Sequence, residues 1–371
     1  MNAIECAPDI SIIIPCRNEV HFIDRCLASV FSFEPVPNGY EVLVVDGQST
    51  DGTLSRLDRW AEAHAQLRIL KNPARIVPTA MNIGIRAAAG RYIVRLDAHS
   101  EYPANYLRLC LETIERTQAD NAGGLFITIP RGGSPEARLV QALTTHKFGV
   151  GNAGYRLNAA EGYADTVPYG CYRREVFERL GGYDERLVRN QDYEFNRRLL
   201  KSGGHIWCNP DIHIHYYNQG SLKGLLRQAA FTGQWNPWMW HVAPYAFALR
   251  HAIPGVFVLG LLGGAALARL TPWGQALLAL ALAAYFSLAL VSAGQQARRS
   301  GWWMLPILPF LFFAYHVAYG AGILTGIGSL LAGRAPVQRA PEPWPGAGRY
   351  RAWPPSGQKP ARQAASTPDH P

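Results

Sequence analysis

The sequence predicts an α/β fold with a mainly parallel sheet, followed by C-terminal transmembrane helices. In the first part of the 371-residue chain, short aliphatic runs alternate with helical patterns. This alternation is typical of parallel sheets covered by helices on both faces. Later in the chain, three long stretches contain no Asp, Glu, Lys or Arg. Such stretches are typical of membrane-spanning helices.

The aliphatic runs predict four buried strands, the first of which begins at residue 10. They are Ile10 to Ile14, Glu41 to Val45, Leu67 to Leu70 and Arg91 to Leu96. In open α/β sheets, ligands bind beyond the carboxyl ends of the strands. The loop at residues 15–19, Asp46 and Asp97 all follow strand ends, so we expect the ligand site there.

The three uncharged stretches predict two to four membrane crossings within residues 251–333. They are Ile253 to Ala268, Leu270 to Ala297 and Trp302 to Gly333. At ~1.5 Å per residue the first spans only ~24 Å of a ~30 Å hydrocarbon layer, whereas the other two are long enough. Pro306, Pro309 and the glycines of residues 320–328 would let the third stretch double back. The alternative interpretation is a buried hairpin of core helices.

The charged residues are distributed unevenly along the chain, and their distribution predicts how the apolar segments are oriented in the membrane. From His251 onward there are nine Lys or Arg and two acids, so +7 of the formal net charge of +9 lies in this part. The positive-inside rule places the connector with Arg298 and Arg299 in the cytoplasm. The same rule favours a cytoplasmic tail at residues 334–371, which requires an even number of crossings. The folded front half is nearly neutral, which argues against nucleic-acid binding.

The composition divides the chain into four regions. Residues 1–220 form the predicted α/β domain, and its scattered cysteines, without a CxxC pair, indicate a reducing cytosol. Residues 221–250 combine tryptophans with Lys223 and Arg227, as in interfacial amphipathic segments. Residues 251–333 form the transmembrane region. Residues 334–371 are basic and proline-rich, which predicts disorder.

Five segments carry a recognisable pattern in their order and spacing. They are residues 11–19 (SIIIPCRNE), 42–53 (VLVVDGQSTDGT), 82–90 (NIGIRAAAG), 95–99 (RLDAH) and 190–194 (NQDYE). Together they resemble the family 2 glycosyltransferases, and they cover about residues 10–235. The resemblance implies the GT-A fold, a Rossmann-like nucleotide-diphospho-sugar transferase fold. The Asp-Ala-His form and the membrane region are most similar to the succinoglycan glucosyltransferase-like subgroup.

The resemblance implies a nucleotide-sugar site at the expected sheet edge. Its residues are Pro15, Arg17, Asn18, Glu19, Asp46, Arg75 and Asp97. The first loop and Asp46 would embrace uridine, and Asp46 would accept a hydrogen bond from the uracil N3–H. Asp46 before Gly47 is also a common turn residue, and Arg75 is equally consistent with a solvated surface side chain.

Asp97 and His99 stand where the family has an Asp-x-Asp pair, which implies a divalent metal ion. In an extended segment alternate side chains point the same way, so both can face one ion. A carboxylate with an imidazole suits Mn²⁺ better than Mg²⁺, which stays possible with waters and substrate phosphates. Because His99 stands where the family has the second Asp, other roles are open for it: it could bind a phosphate or ribose, or cap the turn.

Asp192 matches the catalytic aspartate of the family, with Gln191 in place of the usual Glu. It precedes a predicted helix, Tyr193 to Lys201, where an ionised carboxylate can act as a general base. The alternative role is an ordinary N-cap, which stabilises a helix by ~1 kcal/mol. Glu194 is expected to orient the site or to pair with Arg197 or Arg198.

These inferences predict an inverting glycosyltransferase of the cytoplasmic (inner) membrane with its catalytic domain in the cytosol. It would move a sugar from a nucleotide donor, a UDP-hexose, to a polyprenyl-diphosphate-linked glycan in exopolysaccharide or cell-envelope glycan synthesis. One alternative is a processive synthase, but the Gln-x-x-Arg-Trp motif is reduced to Gln234-Trp235 without the arginine. The other is a non-catalytic nucleotide-sugar-binding scaffold.

Overall fold

The computed structural model describes residues 7–334, and the four expected strands are present within one residue or two of their predicted bounds. The strands are β1 Ile10–Cys16, β2 Tyr40–Asp46, β3 Leu67–Lys71, β4 Tyr92–Arg95, β5 Ser100–Glu101, β6 Asn121–Ile129, β7 Gly162–Tyr163, β8 Cys171–Arg173 and β9 Ile206–Tyr217.

The strands form one mixed sheet in which the long pairings are parallel. Its order is β3-β2-β1-β4-β8-β6-β9-β5, and β7 pairs with β9. The pairs β1–β2, β1–β4, β2–β3 and β6–β9 are parallel, whereas the short strands β5, β7 and β8 pair antiparallel. The prediction of a mainly parallel α/β fold is confirmed.

Helices cover both faces of the sheet and continue beyond it. They are α1 Ile23–Val30, α2 Thr53–Ala63, α3 Val77–Ala87, α4 Tyr106–Thr117, α5 Pro135–Thr144, α6 Lys147–Val150, α7 Arg174–Leu180, α8 Gln191–Lys201, α9 Leu222–Val242, α10 Leu249–Leu270, α11 Pro272–Ser300 and α12 Leu308–Leu331. Along β1, Ile12 and Ile14 pack into one core cluster and Ile13 into another. Both faces are therefore buried, which explains the continuous aliphatic runs.

Three helices of the described residues, α10, α11 and α12, are long and apolar enough to cross a membrane. The first is longer than its uncharged stretch, because it begins at Leu249 and has 22 residues, about 33 Å at ~1.5 Å each. Large apolar side chains on α10 and α11, such as Leu262 and Leu280, are exposed. This exposure argues against a buried hairpin of core helices.

The third apolar stretch does not double back. Helix α12 is continuous, and its glycines allow close approach of neighbouring helices. A Cβ at Gly322 would lie 2.1 Å from the carbonyl oxygen of Ala230 in α9, and one at Gly233 would lie 2.1 Å from that of Tyr319. Helix α9, predicted as an interfacial segment, is thus packed backbone to backbone against α12.

Three crossings would place residue 334 on the side of the membrane opposite residue 249. That arrangement agrees with a cytoplasmic connector at Arg298 and Arg299, but it conflicts with a cytoplasmic tail. The predicted disorder of the tail concerns residues 335–371, which lie outside the described residues.

Candidate active site

The loops that follow β1 and β2 are tied to each other by hydrogen bonds. The backbone N–H of Thr50 donates to Oδ1 of Asn18 (2.9 Å), and that of Glu19 donates to Oγ1 of Thr53 (2.8 Å). Both loops lie at the carboxyl edge of the sheet because β1 and β2 are parallel and adjacent. The predicted nucleotide-binding segments are therefore brought together, as expected.

Asp46 ends β2 and is buried at the base of this edge. Its Oδ1 accepts from the hydroxyl of Ser49 (2.5 Å) and its Oδ2 from the backbone N–H of Ser49 (3.1 Å). These bonds form a turn, which is the alternative role that the sequence offered for Asp46. The contact of Asp46 with a nucleotide base stays a prediction.

Arg17 and Arg75 are exposed and line the same cavity as Pro15. Arg75 has a positive φ of 61°, and its Nε donates to Oε1 of Gln48 (2.5 Å). The left-handed backbone at Arg75 is unusual for a residue other than glycine. It turns this loop toward the loop after β2, where an anionic ligand would meet both guanidinium groups.

Asp97, His99 and Glu19 converge below these loops. The Nδ1 atom of His99 lies 3.3 Å from Oε1 of Glu19 and 3.3 Å from Oδ1 of Asp97. Burial alone would lower the pKa of His99, but the two carboxylates outweigh it and raise that pKa to about 9. Without a ligand, the imidazole is therefore protonated at neutral pH.

Asp97 is held in place by two tyrosines. Its Oδ2 accepts a hydrogen bond from the hydroxyl of Tyr169 (3.0 Å), and its backbone N–H donates to the hydroxyl of Tyr102 (2.7 Å). Both tyrosines are buried. One carboxylate oxygen is thereby fixed while the other faces His99.

The donor set at this position suits a divalent ion that is completed by its substrate. Nδ1 of His99 is buried and makes no hydrogen bond of acceptable geometry despite its proximity to Glu19 and Asp97. Within residues 7–334, no three His, Cys, Asp or Glu side chains form a ready-made metal cage. Sites that bind a metal through one or two carboxylates together with substrate phosphates need no such cage.

Asp192 lies at the start of α8 and is 52% exposed. The helix begins one residue before Asp192, at Gln191, and its N-cap residue is Asn190 in the left-handed conformation. The alternative role of Asp192 as the N-cap is therefore wrong. Its carboxylate belongs to the first helical turn and remains available to a ligand.

The nearest cation to Asp192 is Arg95, at the end of β4. Nη1 of Arg95 lies 3.7 Å from Oδ2 of Asp192, and the Arg95 side chain is 9% exposed. The guanidinium also stacks over the ring of Tyr169, 5.5 Å from its centroid. Arg95 therefore links Asp192 to the tyrosine that holds Asp97.

Glu194 has a structural role, which is one of the two roles expected for it. It is buried, and its oxygens accept from Nε (2.9 Å) and Nη2 (2.8 Å) of Arg198 and from the hydroxyl of Tyr245 (2.5 Å). The predicted pairing with Arg198 is confirmed. These bonds fix the first turn of α8 and so the position of Asp192.

One cavity of about 1340 Å³ connects these groups. It is lined at the sheet edge by Pro15, Arg17, Glu19 and Arg75, together with Asp97, His99 and Asp192. Phe257 of α10 and Tyr315 of α12 line the same cavity from the helical region. The candidate site therefore extends from the sheet edge to the apolar helices.

Comparison with known proteins identifies the family. The model of the family described as "Glycosyl transferase family 2" matches residues 11–181. The succinoglycan biosynthesis protein ExoA of Rhizobium meliloti (strain 1021) is 31% identical over 261 residues, which are 65% of this chain and 78% of that protein. The chain belongs to glycosyl transferase family 2.

Two further relatives extend the comparison. A dolichyl N-acetyl-alpha-D-glucosaminyl phosphate 3-beta-D-2,3-diacetamido-2,3-dideoxy-beta-D-glucuronosyltransferase of Methanococcus voltae is 31% identical over 60% of this chain and 71% of its own length. The mannosyltransferase PcManGT from Pyrobaculum calidifontis, solved with GDP-Man and Mn²⁺, has 22% identity and a TM-score of 0.56 over 85% of this chain and 87% of that one. The GT-A fold expected for this glycosyltransferase is confirmed.

Sequence reasoning missed three residues of this glycosyltransferase site. Arg95 is the first residue of the RLDAH segment (residues 95–99), but the segment by itself predicts no role for it. Tyr169 and Arg156 lie in a segment without a motif, and only folding brings them to the cavity. Tyr169 is locally unusual in having a positive φ of 45°. Because this backbone angle is visible only in the structure, it could not have identified Tyr169 from the sequence.

Proposed function

We propose that this protein is an inverting glycosyltransferase that moves a hexose from a UDP-sugar to a lipid-linked glycan acceptor. The observation that carries the proposal is the common cavity of Asp192 and Asp97. Asp192 is exposed and bonded only loosely to Arg95, whereas Asp97 is held by Tyr169 and lies against His99. One carboxylate is thus free to accept a proton, and the other is fixed for a charged ligand.

The chemical step uses Asp192 as general base. As the acceptor hydroxyl oxygen attacks the anomeric carbon, its proton passes to a carboxylate oxygen of Asp192. The bond between the anomeric carbon and the diphosphate oxygen breaks, and its electron pair leaves with the nucleoside diphosphate. One displacement of this kind inverts the anomeric configuration.

A divalent ion, Mn²⁺ or Mg²⁺, would be held by Asp97 and His99, with Glu19 beside them. When bound, the ion neutralises the charge that develops on the leaving diphosphate. His99 must be neutral to act as a ligand, so its ligation competes with its ion pairs to Glu19 and Asp97. The Mn²⁺ in the mannosyltransferase PcManGT supports this assignment.

The nucleotide would bind between the loops after β1 and β2. Pro15 lines the cavity and would contact the uridine, Asn18 and Asp46 would support it from behind the lining residues, and Arg17 and Arg75 would meet the diphosphate. A base contact by Asp46 would have to replace or share its bonds to Ser49.

The names of the relatives support a lipid-linked acceptor and a role in exopolysaccharide or envelope glycan synthesis. One acts in succinoglycan biosynthesis, and another acts on a dolichyl-linked sugar phosphate. We place the catalytic domain on the cytosolic side of the cytoplasmic membrane. Helices α10 to α12 would hold the cavity at the membrane surface, where a polyprenyl-diphosphate-linked acceptor lies.

The test is a donor panel with the purified full chain. We expect Mn²⁺-dependent hydrolysis of a UDP-hexose without acceptor, and transfer when lipid extract supplies one. NMR of the product should show an anomeric configuration opposite to that of the donor. No turnover of any nucleotide sugar would favour the scaffold alternative. Growing chains on one acceptor would favour a processive synthase.

A further inference from the structure

One end of the cavity has no part in the donor chemistry proposed above. It is lined by Arg156, in the turn at Gly154–Arg156, and by Tyr315 of α12. The Arg156 side chain is half-buried, so its cationic group lies between the sheet domain and the third apolar helix and still faces the cavity.

The guanidinium of Arg156 has no counter-ion. No carboxylate of residues 7–334 forms an ion pair with it, and its Nη1 atom is shielded from solvent without a hydrogen-bond partner. Aromatic rings surround it instead: its Cζ atom lies 5.0 Å from the ring centroid of Phe126, 5.2 Å from that of Tyr216 and 5.5 Å from that of Tyr155. Cation–π contacts hold the group without neutralising it.

Of the six other cations that line the cavity, two face carboxylates, two lie in loops at the sheet edge, and Lys147 and Arg189 are exposed to solvent. Seven Lys or Arg side chains and three carboxylates line the cavity. Arg95 lies beside Asp192, and Nη2 of Arg250 pairs with Asp165 at 2.6 Å. Since a buried charge without a partner is costly, the arrangement around Arg156 favours an anionic ligand.

The walls near Arg156 suit a ligand that is apolar at its other end. Phe148, Phe257 and Tyr315 line the same cavity, and Phe257 belongs to α10, which the membrane would surround. A soluble nucleotide has no chain that such walls would hold. A phosphate attached to a long hydrocarbon chain matches both the cation and the apolar walls.

We propose that Arg156 binds the phosphate of the lipid acceptor, a polyprenyl phosphate or diphosphate headgroup, whose chain leaves the cavity beside α10 and α12. This rests on the proposed function in taking the acceptor to be lipid-linked. The planar guanidinium offers a fork of donors that fits phosphate oxygens. The sugar carried by the headgroup would then extend along the cavity toward Asp192.

The first test compares retention of undecaprenyl phosphate and undecaprenol by the detergent-solubilised full chain, measured by native mass spectrometry. The wild type should retain the phosphate lipid preferentially. Arg156→Gln should lose that preference by at least about 10-fold, because a charged hydrogen bond is lost. Arg91→Gln is the matched control, since Arg91 also lies over a tyrosine, Tyr92, but outside the cavity. Preference retained in Arg156→Gln would overturn the proposal.

The second test uses the wild type alone and so does not depend on whether the variant folds. Phenylglyoxal modifies accessible arginines, and peptide mass spectrometry locates the product. Undecaprenyl phosphate should protect Arg156, whereas undecaprenol and UDP should not. Protection by UDP alone would assign Arg156 to the donor and overturn the proposal.

Neither readout requires turnover, so this proposal and the proposed function fail separately. Lipid retention that depends on Arg156 without any transfer would contradict the proposed reaction only. Transfer with an acceptor KM unchanged in Arg156→Gln would contradict the headgroup site only. Arg156→Lys keeps the charge but loses the planar guanidinium with its forked donors. It should retain part of the preference for undecaprenyl phosphate over undecaprenol.

Discussion

The two ends of the cavity are built differently. At the sheet edge, several polar side chains bond to one another: Asn18 bonds to Thr50, Asp46 to Ser49, and Asp97 to Tyr169. At the helical end, Arg156 has aromatic neighbours but forms no ion pair with a carboxylate of residues 7–334. The first end is fixed largely by bonds between described residues, as a precise reaction requires. The second keeps a charge without a counter-ion among those residues, and this difference is the basis for proposing an anionic ligand there.

The largest effect should come from removing the metal at the sheet edge. Chelation should reduce transfer to background, because the leaving diphosphate loses its counter-charge, and added Mn²⁺ should restore it. Asp97→Ala should lose more activity than His99→Ala, since Asp97 matches the Asp-x-Asp pair of the family whereas His99 departs from it. Full activity in excess chelator would contradict the metal assignment. The measurement is the initial rate at saturating donor and acceptor.

Asp192→Asn tests the base that lies between the two ends. The variant keeps the side-chain size, and the helix cap is Asn190, so folding and donor binding should survive. Transfer should fall by roughly 10²–10⁴-fold, because the proton acceptor is lost. The rate at saturating substrates is the quantity to measure.

Asp211→Asn is the control for that experiment, since Asp211 is exposed on β9 and does not line the cavity. It should keep wild-type turnover. An Asp192→Asn enzyme with near wild-type turnover would refute the mechanism and leave the fold untouched.

Gly322→Ala tests whether the helical end depends on backbone contact between α9 and α12. The added Cβ would lie 2.1 Å from the carbonyl oxygen of Ala230, so the helices must separate, at a cost of about 1–3 kcal/mol. Gly260→Ala in α10 is the matched control, with nothing within 4 Å of its Cβ. It should be neutral or slightly stabilising. Equal melting temperatures for the two variants in detergent would rule out the close contact.

The smallest effect is a difference in labelling that leaves the enzyme unchanged. With the catalytic domain inside, Ser300→Cys near the Arg298 connector should resist a membrane-impermeant thiol reagent in intact cells. Leu270→Cys, at the exposed C-terminal end of α10, should react. Labelling of Ser300→Cys from outside would reverse the proposed orientation.

The sheet and its edge were predictable because their signals are local. A buried parallel strand needs an unbroken aliphatic run, and the loop after it carries the polar residues, so β1, β2 and β4 could be located with Asp46 and Asp97 behind them. The first residue of α8 was less predictable. The pattern predicted that the helix begins at Tyr193, with the N-cap as an alternative role for Asp192, whereas α8 begins at Gln191 after Asn190 in a left-handed conformation.

By itself the sequence determined the family, the mainly parallel sheet and the existence of long apolar segments, because each depends on residues close together in the chain. Tertiary structure decided which distant groups meet. Asp97 and Tyr169 are 72 residues apart, and their hydrogen bond exists only because β4 and β8 pair. Arg156 and Tyr315 line one cavity only because the helical region packs against the sheet domain. Contacts at such separations arise from the packing of whole elements, which no local pattern records.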